Sequence, residues 1–243
     1  MKPPIDLDKL YARFADKIGA DRGDEHRLHA SDLGSCLYAT HLRLKGEPRL
    51  PFDQDSLDRF YMGHMVEKFV FGAFEGYSFT AGDVIDHRGI IGHLDLYGDV
   101  TTTTVVVDIS TTRAKESKPQ FSHTLKTAFY ADAKGCEQFC EWVFRIGYGG
   151  KVLPPVAYWF ETKDFLATID ERVKVLQAIE FDGLVPAIEP PVQMNWNGAT
   201  FVPSGGLETW RCAKYCNAPC PRNQMAGAFN DALGGSGVLD DGY

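Results

Sequence analysis

The alternation of apolar and polar residues predicts helices in the first third of the chain. Residues 6–18 carry apolar side chains at helical spacing and are followed by Gly19, which predicts an amphipathic helix. Ser31 suits the N-cap of a second helix that ends at Gly46, and a third helix is predicted over residues 55–74. We therefore expect the first third of the chain to be helical.

The pattern then changes to the short, β-branched runs that are typical of strands. Strands, helices and turns alternate up to Gly183, after which the chain is rich in Pro, Gly and Asn. This order predicts an α/β core in which a short mixed sheet is flanked by helices. In chain order the predicted elements are strands over 77–85, 89–96 and 102–109, a helix over 119–145 with a break expected near Gly135, a strand over 152–160 and a helix over 164–181.

Composition and charge narrow the class of protein. The 243 residues, 44% of them hydrophobic, are enough for one core with a small appended module. A net charge of −8, from 33 acidic and 25 basic residues, argues against a polyanion-binding surface, although a local basic strip can still bind nucleic acid. No apolar run is long enough to span a bilayer or resembles a secretory signal, so a cytoplasmic protein without membrane attachment is expected.

Two aspartates lie where charge is costly, at the ends of apolar strands. Asp95 and Asp108 are close enough along the chain for a simple hairpin to bring them to one cation. Glu67 on the preceding helix and the backbone carbonyl of Ile109 are further oxygen ligands, and such a set suits Mg²⁺ or Mn²⁺. The alternative is that each acid is a turn or surface residue.

Basic residues follow Asp108 in the sequence. Arg113, Lys115 and Lys118 form a short run that is either a solvated loop or a grip on a phosphodiester backbone. Lys126 and Tyr130 are four residues apart and share one helix face, where the plainer interpretation is a surface lysine beside a half-buried tyrosine.

Cysteine spacing gives the most specific chemical signal. Three cysteines are separated by four and four residues, which indicates zinc or an iron–sulfur cluster that needs a fourth ligand. Cys36 is the first candidate for that ligand, and Cys136 and Cys140 are its rivals. The three crowded cysteines are Cys212, Cys216 and Cys220.

Taken together, these motifs resemble the RecB-like nucleases of the PD-(D/E)XK superfamily, with its restriction-endonuclease-like core. Within them the likeness is to the CRISPR-associated iron–sulfur exonucleases and their stand-alone phage members, and it covers residues 28–224. The motifs, in the family's order, are Cys36, Gly63-x-x-x-Glu67, Gly92-x-x-Asp95, Asp108-x-Ser110, Lys126-x-x-x-Tyr130 and the C-terminal cysteine triplet.

The resemblance implies a metal-dependent DNA exonuclease with a structural 4Fe-4S cluster. Asp95 and Asp108 would hold Mg²⁺ or Mn²⁺, and the four cysteines would join the C-terminal cluster to the N-terminal helix. The implied substrate is DNA that is single-stranded or has free ends. The implied partners are further copies of the chain or proteins of recombination or CRISPR adaptation. The implied organisation is a helix and loop over 1–27, the nuclease domain over 28–224 and a flexible tail over 225–243.

The chain departs from the family pattern at three places. Ser110 stands where the family carries lysine, Lys126 stands where it carries glutamine, and the triplet spacing is four and four. Our first hypothesis is that Lys126 has taken over the function of the absent strand lysine. The second is that hydrolysis is lost and the protein is a DNA-binding or partner-binding module. The third is a zinc-bound scaffold.

Overall fold

The computed structural model describes residues 26–48, 52, 54–73, 78–100, 102–147, 150–188, 191–207 and 218–220. Two short 3-10 turns, Ala30–Gly34 and Thr162–Asp164, accompany the main elements. The described helices are Leu37–Leu44 (α1), Gln54–Ala73 (α2), Phe121–Lys134 (α3) and Leu166–Phe181 (α4). The described strands are Phe79–Ala81 (β1), Val84–His87 (β2), Ile90–His93 (β3), Leu96–Val100 (β4), Thr103–Thr112 (β5), Gln138–Arg145 (β6), Val156–Glu161 (β7), Val192–Trp196 (β8) and Phe201–Leu207 (β9).

A five-stranded mixed sheet, in the order β1-β4-β5-β6-β7, forms the centre of the fold. Strands β5 and β6 are parallel, and the other neighbours in this sheet are antiparallel. A parallel pair requires a crossover, which α3 supplies. The predicted α/β architecture, a mixed sheet flanked by helices, is confirmed. Two further hairpins, β2–β3 and β8–β9, lie outside this sheet.

Hydrophobic cores lie on both faces of the sheet, which explains the continuous run of valines in β5. On one face Val106 and Phe139 pack with Phe129 of α3 and Ile169 of α4. On the other face the cluster includes Val66 and Val70 of α2 together with strand residues from β4, β5 and β6. Within the described residues, no helix is both long enough and apolar enough to cross a membrane.

The helix predicted over 119–145 is wrong in its second half. It ends at Lys134, and Gly135 caps it in the left-handed conformation (φ +68°). The following residues, Gln138–Arg145, form the central strand β6. A strand that is buried on both faces loses the simple alternation of a surface strand, and its apolar run is then easily taken for a buried helix.

Three smaller predictions also differ from the structure. The helix expected from Ser31 is a 3-10 turn followed by α1, whose N-cap is Cys36. Strand β5 continues to Thr112, so Asp108 lies inside the strand rather than at its end. The segment after Gly183 contains the hairpin β8–β9. The helix predicted over 6–18 and the tail predicted over 225–243 lie outside the described residues.

Candidate active site

The β4–β5 hairpin brings the two candidate aspartates together. Leu96, the first residue of β4, pairs with Val107, so Asp95 lies opposite Asp108. The backbone N–H of Ile109 donates a hydrogen bond to Asp95 Oδ2 (2.7 Å), which fixes the carboxylate at the edge of the hairpin. The two acids that were selected from sequence are therefore neighbours.

Helix α3 adds a lysine to this acid pair. Lys126 Nζ lies 2.6 Å from Asp108 Oδ1, and the two side chains are 23% and 2% exposed, respectively. Burial alone would lower the pKa of Lys126, but the carboxylates of Asp108 and Asp95 raise it above its usual value. The side chain is therefore an ammonium ion next to Asp108.

Lys126 alone leaves the neighbouring carboxyl groups without full hydrogen bonding and charge balance. Neither oxygen of Asp108 accepts a well-directed hydrogen bond from the described residues, although Lys126 is in ionic contact. Burial, and then the charge of Asp108, raise the pKa of Asp95 to about 8, against the opposing effects of Lys126 and the Ile109 N–H; Glu67 raises it further. The site thus pairs two adjacent carboxyl groups with one ammonium, and a cation bound there would stabilise the ionised form of Asp95.

Tyr130 lies one helical turn after Lys126 and is buried. Burial raises the pKa of its phenol to about 12, so the hydroxyl stays protonated. The side chain hydrogen-bonds the backbone of His93 and packs against Gly92 so closely that a Cβ there would overlap the Tyr130 hydroxyl. The glycine of the Gly92-x-x-Asp95 motif thus allows α3 to approach β3.

Sequence reasoning missed a third buried acid, Glu141 on β6. It pairs with Asp108 across the parallel strands and is fully buried. Its carboxylate accepts hydrogen bonds from Ser110 Oγ (3.1 Å) and Thr124 Oγ1 (2.7 Å). Burial, and then the charge of Asp108, raise the pKa of Glu141 to about 8. The signal was a lone acid within an apolar run, and it went unnoticed because that run was interpreted as helix.

The serine in the lysine position therefore has a partner of its own. Ser110 lies on the same face of β5 as Asp108, two residues further along, and its hydroxyl contacts Glu141. A lysine at position 110 would have both Asp108 and Glu141 within its surroundings. Position 110 on β5 therefore faces an acidic environment, and the ammonium near Asp108 is that of Lys126 on α3.

The residues present fit a divalent cation only in part. Asp108 provides two carboxylate oxygens without a hydrogen-bond partner among the described residues, and Asp95 lies beside it with one oxygen bonded to the Ile109 N–H. Glu67 is 32% exposed and lies 3.5 Å from His64 Nδ1, and it affects Asp95 only through its charge. Among the described residues, no group of three or more His, Cys, Asp or Glu side chains is arranged to hold a metal ion.

The basic run after β5 lies on an exposed loop. Arg113 contacts Asp55 of α2 (3.3 Å) and Lys118 contacts Glu116 (2.6 Å), and all four side chains are largely exposed. Lys115 is exposed as well. Exposed ion pairs of this kind contribute little to stability, so these cations can exchange their partners for phosphate.

Half of the predicted cysteine set can be placed. Cys36 is the N-cap of α1 and half-buried, and Cys220 is buried. Cys212 and Cys216 lie outside the described residues. Arg172 of α4 fixes the chain before Cys36 by donating to the carbonyl oxygens of Leu33 (2.6 Å) and Ser35 (2.7 Å). The four-cysteine cluster stays a prediction.

Comparison with known proteins gives the fold and no family. No protein-family profile and no curated protein match the chain. The crystal structure of SSO0001 is similar with a TM-score of 0.52 at 12% identity, over 89% of this chain and 96% of that chain. A phage-related exonuclease from Haemophilus somnus 129PT is similar with a TM-score of 0.46 at 13% identity, over 63% of this chain and 93% of that chain. The first likeness supports the same overall fold, and the second carries no argument at its TM-score.

Proposed function

We propose that the protein is a metal-dependent nuclease that hydrolyses phosphodiester bonds of DNA. The observation that carries the proposal is the contact of Lys126 with the buried Asp108 beside Asp95. Burying charge is costly, and a fold retains such a group chiefly where the site uses it. The position of the group on the β4–β5 hairpin and α3 agrees with the motif order of the RecB-like nucleases.

Each side chain has a defined task in this proposal. Asp95 and Asp108 hold Mg²⁺ or Mn²⁺, with Glu67 and the Ile109 carbonyl as further ligands. A cation held there would supply Lewis-acid activation of a water and neutralise phosphate charge. Lys126 places its ammonium next to Asp108, where it stabilises the charge that develops on the phosphoryl oxygens. Tyr130, protonated and held at His93, fixes the helix turn that carries Lys126.

The proposal is tested by assaying end-labelled single-stranded and duplex DNA with Mn²⁺, Mg²⁺ or a chelator. We expect cleavage that requires the metal ion and is lost in Asp108→Ala. The matched control is Asp99→Ala, which removes an exposed carboxylate from the same hairpin and should cleave normally. Cleavage by wild type and Asp108→Ala at the same rate, or none by either, would refute the proposal.

A binding module without hydrolysis is the second candidate, and one feature of the site favours it. The Lys126 ammonium already neutralises part of the charge of Asp108, and the described residues form no three-ligand metal group. In that case Lys126 would replace the metal ion instead of assisting it. DNA binding that neither Mn²⁺ nor Mg²⁺ affects, with no cleavage, would select this candidate.

We further propose that Cys36, Cys212, Cys216 and Cys220 bind a 4Fe-4S cluster with a structural role. The support is the spacing of the cysteines and the firm attachment of the chain before Cys36 by Arg172. Hydrolysis requires no electron transfer, so the cluster would serve to connect distant parts of the chain. Iron and zinc analysis of anaerobically purified protein tests this: bound iron supports it, and bound zinc favours the scaffold hypothesis.

A further inference from the structure

A cleft of about 460 Å³ lies between the loop before α3, strand β7 and the β8–β9 hairpin. We propose that it is a binding site for an unpaired nucleobase of the DNA strand, with the phosphate next to that base bound by Lys118. The inference rests on the proposed function, since the ligand is the same strand that Asp95 and Asp108 would act on. The lining residues are Glu116, Ser117, Lys118, Tyr158, Trp196, Asn197 and Gly198.

The sheet connects the cleft to the aspartates. Asp108 pairs with Glu141, and Glu141 pairs with Tyr158, so the three residues form one row on one face of the sheet. Two strand spacings separate Asp108 from Tyr158, about 10 Å between Cα atoms. A stacked strand advances about 3.4 Å per nucleotide, so a few nucleotides bridge this distance.

The aromatic side chains of the cleft are held in place. Trp196 packs against Phe160 and Phe201 with ring centroids 5.5 and 5.2 Å away, and it meets Tyr158 edge to face at 5.9 Å. The Tyr158 hydroxyl donates to the carbonyl of Ser117, which ties the cleft to the loop before α3. Rigid aromatic rings are the usual platform on which single-stranded bases stack.

Asn197 and Lys118 supply hydrogen-bond donors to the cleft. Asn197 Oδ1 accepts hydrogen bonds from the backbone of Ala199 (3.0 Å) and Thr200 (2.9 Å), which fixes its orientation. Its NH₂ group, which bonds to none of the described residues, is left to donate to carbonyl or ring-nitrogen acceptors of a base. Lys118 adds a cation, and its exposed contact with Glu116 is weak enough for a phosphate to displace that carboxylate.

The hairpin that carries Trp196 supports a binding role. Most of β9 is exposed, and the large side chains of β8 and β9 that pack on the core are Trp196 and Phe201. The hairpin thus contributes little to the core while it forms one wall of the cleft. A base in a duplex has both faces and its pairing edge covered, so the cleft would select single-stranded DNA or frayed ends.

Two hairpin variants test the proposal, each made in the Asp108→Ala background so that no cleavage occurs. Asn197→Asp keeps the oxygen that holds the turn and replaces the NH₂ donors by an acceptor. Its matched control is Asn195→Asp, which adds the same charge at an exposed position of β8. Trp196→Leu is the second variant, because leucine keeps apolar packing against Phe160 but cannot stack a base.

The measurement is fluorescence anisotropy of a labelled oligothymidylate of about 10 nucleotides, within the usual site size of one binding module. Trp196→Leu should weaken binding by about 5-fold or more, since stacking on one aromatic side chain gives at least that factor. Asn197→Asp should also weaken binding, because it loses the NH₂ donors and adds a negative charge. Asn195→Asp should bind like the parent, and a duplex of the same sequence should bind more weakly. Equal binding by all four proteins, equal losses in both asparagine variants, or no binding of the single strand overturns the proposal.

This result is separate from that of the nuclease assay. If Asn197→Asp and Trp196→Leu selectively lose DNA-binding affinity while the wild type shows no metal-dependent cleavage, the base-binding cleft is supported and the nuclease proposal is refuted. If the wild type cleaves DNA in a metal-dependent reaction and both variants bind DNA normally, the nuclease proposal is supported and the base-binding cleft is refuted.

Discussion

Glu141 shows how strongly burial and a neighbouring charge shift the pKa of a single carboxyl group. Two hydroxyl groups donate to its carboxylate, yet burial and the charge of Asp108 still raise its pKa to about 8. Its unfolded pKa is near 4.5, so between these values the folded state binds the proton more tightly than the unfolded state does. Stability is therefore highest at low pH within this window and falls as the pH rises towards 8.

Replacing Glu141 by glutamine should flatten this pH dependence. We expect wild type in a chelator to lose stability between about pH 4.5 and 8, by up to about 1.4 kcal/mol per pH unit for each such group. Glu141→Gln should lose less stability over this range and should be more stable than wild type at pH 8 or above. Denaturant unfolding across pH measures this, with exposed Glu137→Gln as the control. A variant with the same slope as wild type would contradict the pKa assignment.

At the scale of elements, the close approach of α3 to β3 depends on Gly92. A Cβ at this position would overlap the Tyr130 hydroxyl and come within 2.9 Å of the Ala30 side chain. Tyr130 and Lys126 lie one turn apart on the same face of α3. Displacing Tyr130 therefore displaces the ammonium from Asp108.

Gly92→Ala should consequently be destabilising, by about 1–3 kcal/mol, as is typical of overpacking. The control is Gly72→Ala in α2, where a new Cβ meets nothing within 4 Å and should leave the stability unchanged or raise it slightly. Equilibrium unfolding of both variants is the measurement. If Gly92→Ala is as stable as Gly72→Ala, the close contact with Tyr130 is not a constraint of the fold.

Sequence predicted the elements best where local signals were strong. The α2 helix and the strand containing Asp108 were located within a few residues, the strand because its β-branched run is distinctive. The β6 strand was taken for helix because both its faces are buried, and this error concealed Glu141. The β8–β9 hairpin, and with it the cleft at Trp196, lacked any strong pattern, since its position depends on aromatic contacts distant in sequence.

At the candidate site, the sequence indicated which acids lie together but not which cation offsets their negative charge. The hairpin that pairs Asp95 with Asp108 follows from chain length and turn signals. That Lys126 would reach Asp108 was a hypothesis from the family pattern, and the distance of 2.6 Å is a property of α3 packing. No local pattern reveals such a contact.

At the scale of the whole molecule, α4 joins the beginning of the described chain to the core. Arg172 binds the carbonyls that precede Cys36, and Ile169 and Leu176 are fully buried. If Cys36 and the C-terminal triplet share a cluster, it would link regions more than 170 residues apart in sequence. Metal binding would then contribute directly to folding stability.

Cys36→Ser should therefore lower both iron content and melting temperature under anaerobic conditions. The control is Cys136→Ala, which removes a rival ligand that lies after α3 and should keep full iron content. Iron analysis and thermal unfolding on the same samples are the measurements. Full iron content in Cys36→Ser, or its loss only in Cys136→Ala, would show that the cluster is assigned to the wrong residues.

The most direct test of the central claim is the Mn²⁺-dependent cleavage rate of single-stranded DNA by Lys126→Ala under single-turnover conditions, after its folding has been checked. Loss of one charge-stabilising group predicts a rate about 100-fold or more below wild type. Ser110→Lys combined with Lys126→Gln, which moves the ammonium from α3 to the strand position beside Asp108 and Glu141, should recover much of that loss. Cleavage by Lys126→Ala at the wild-type rate would contradict the account.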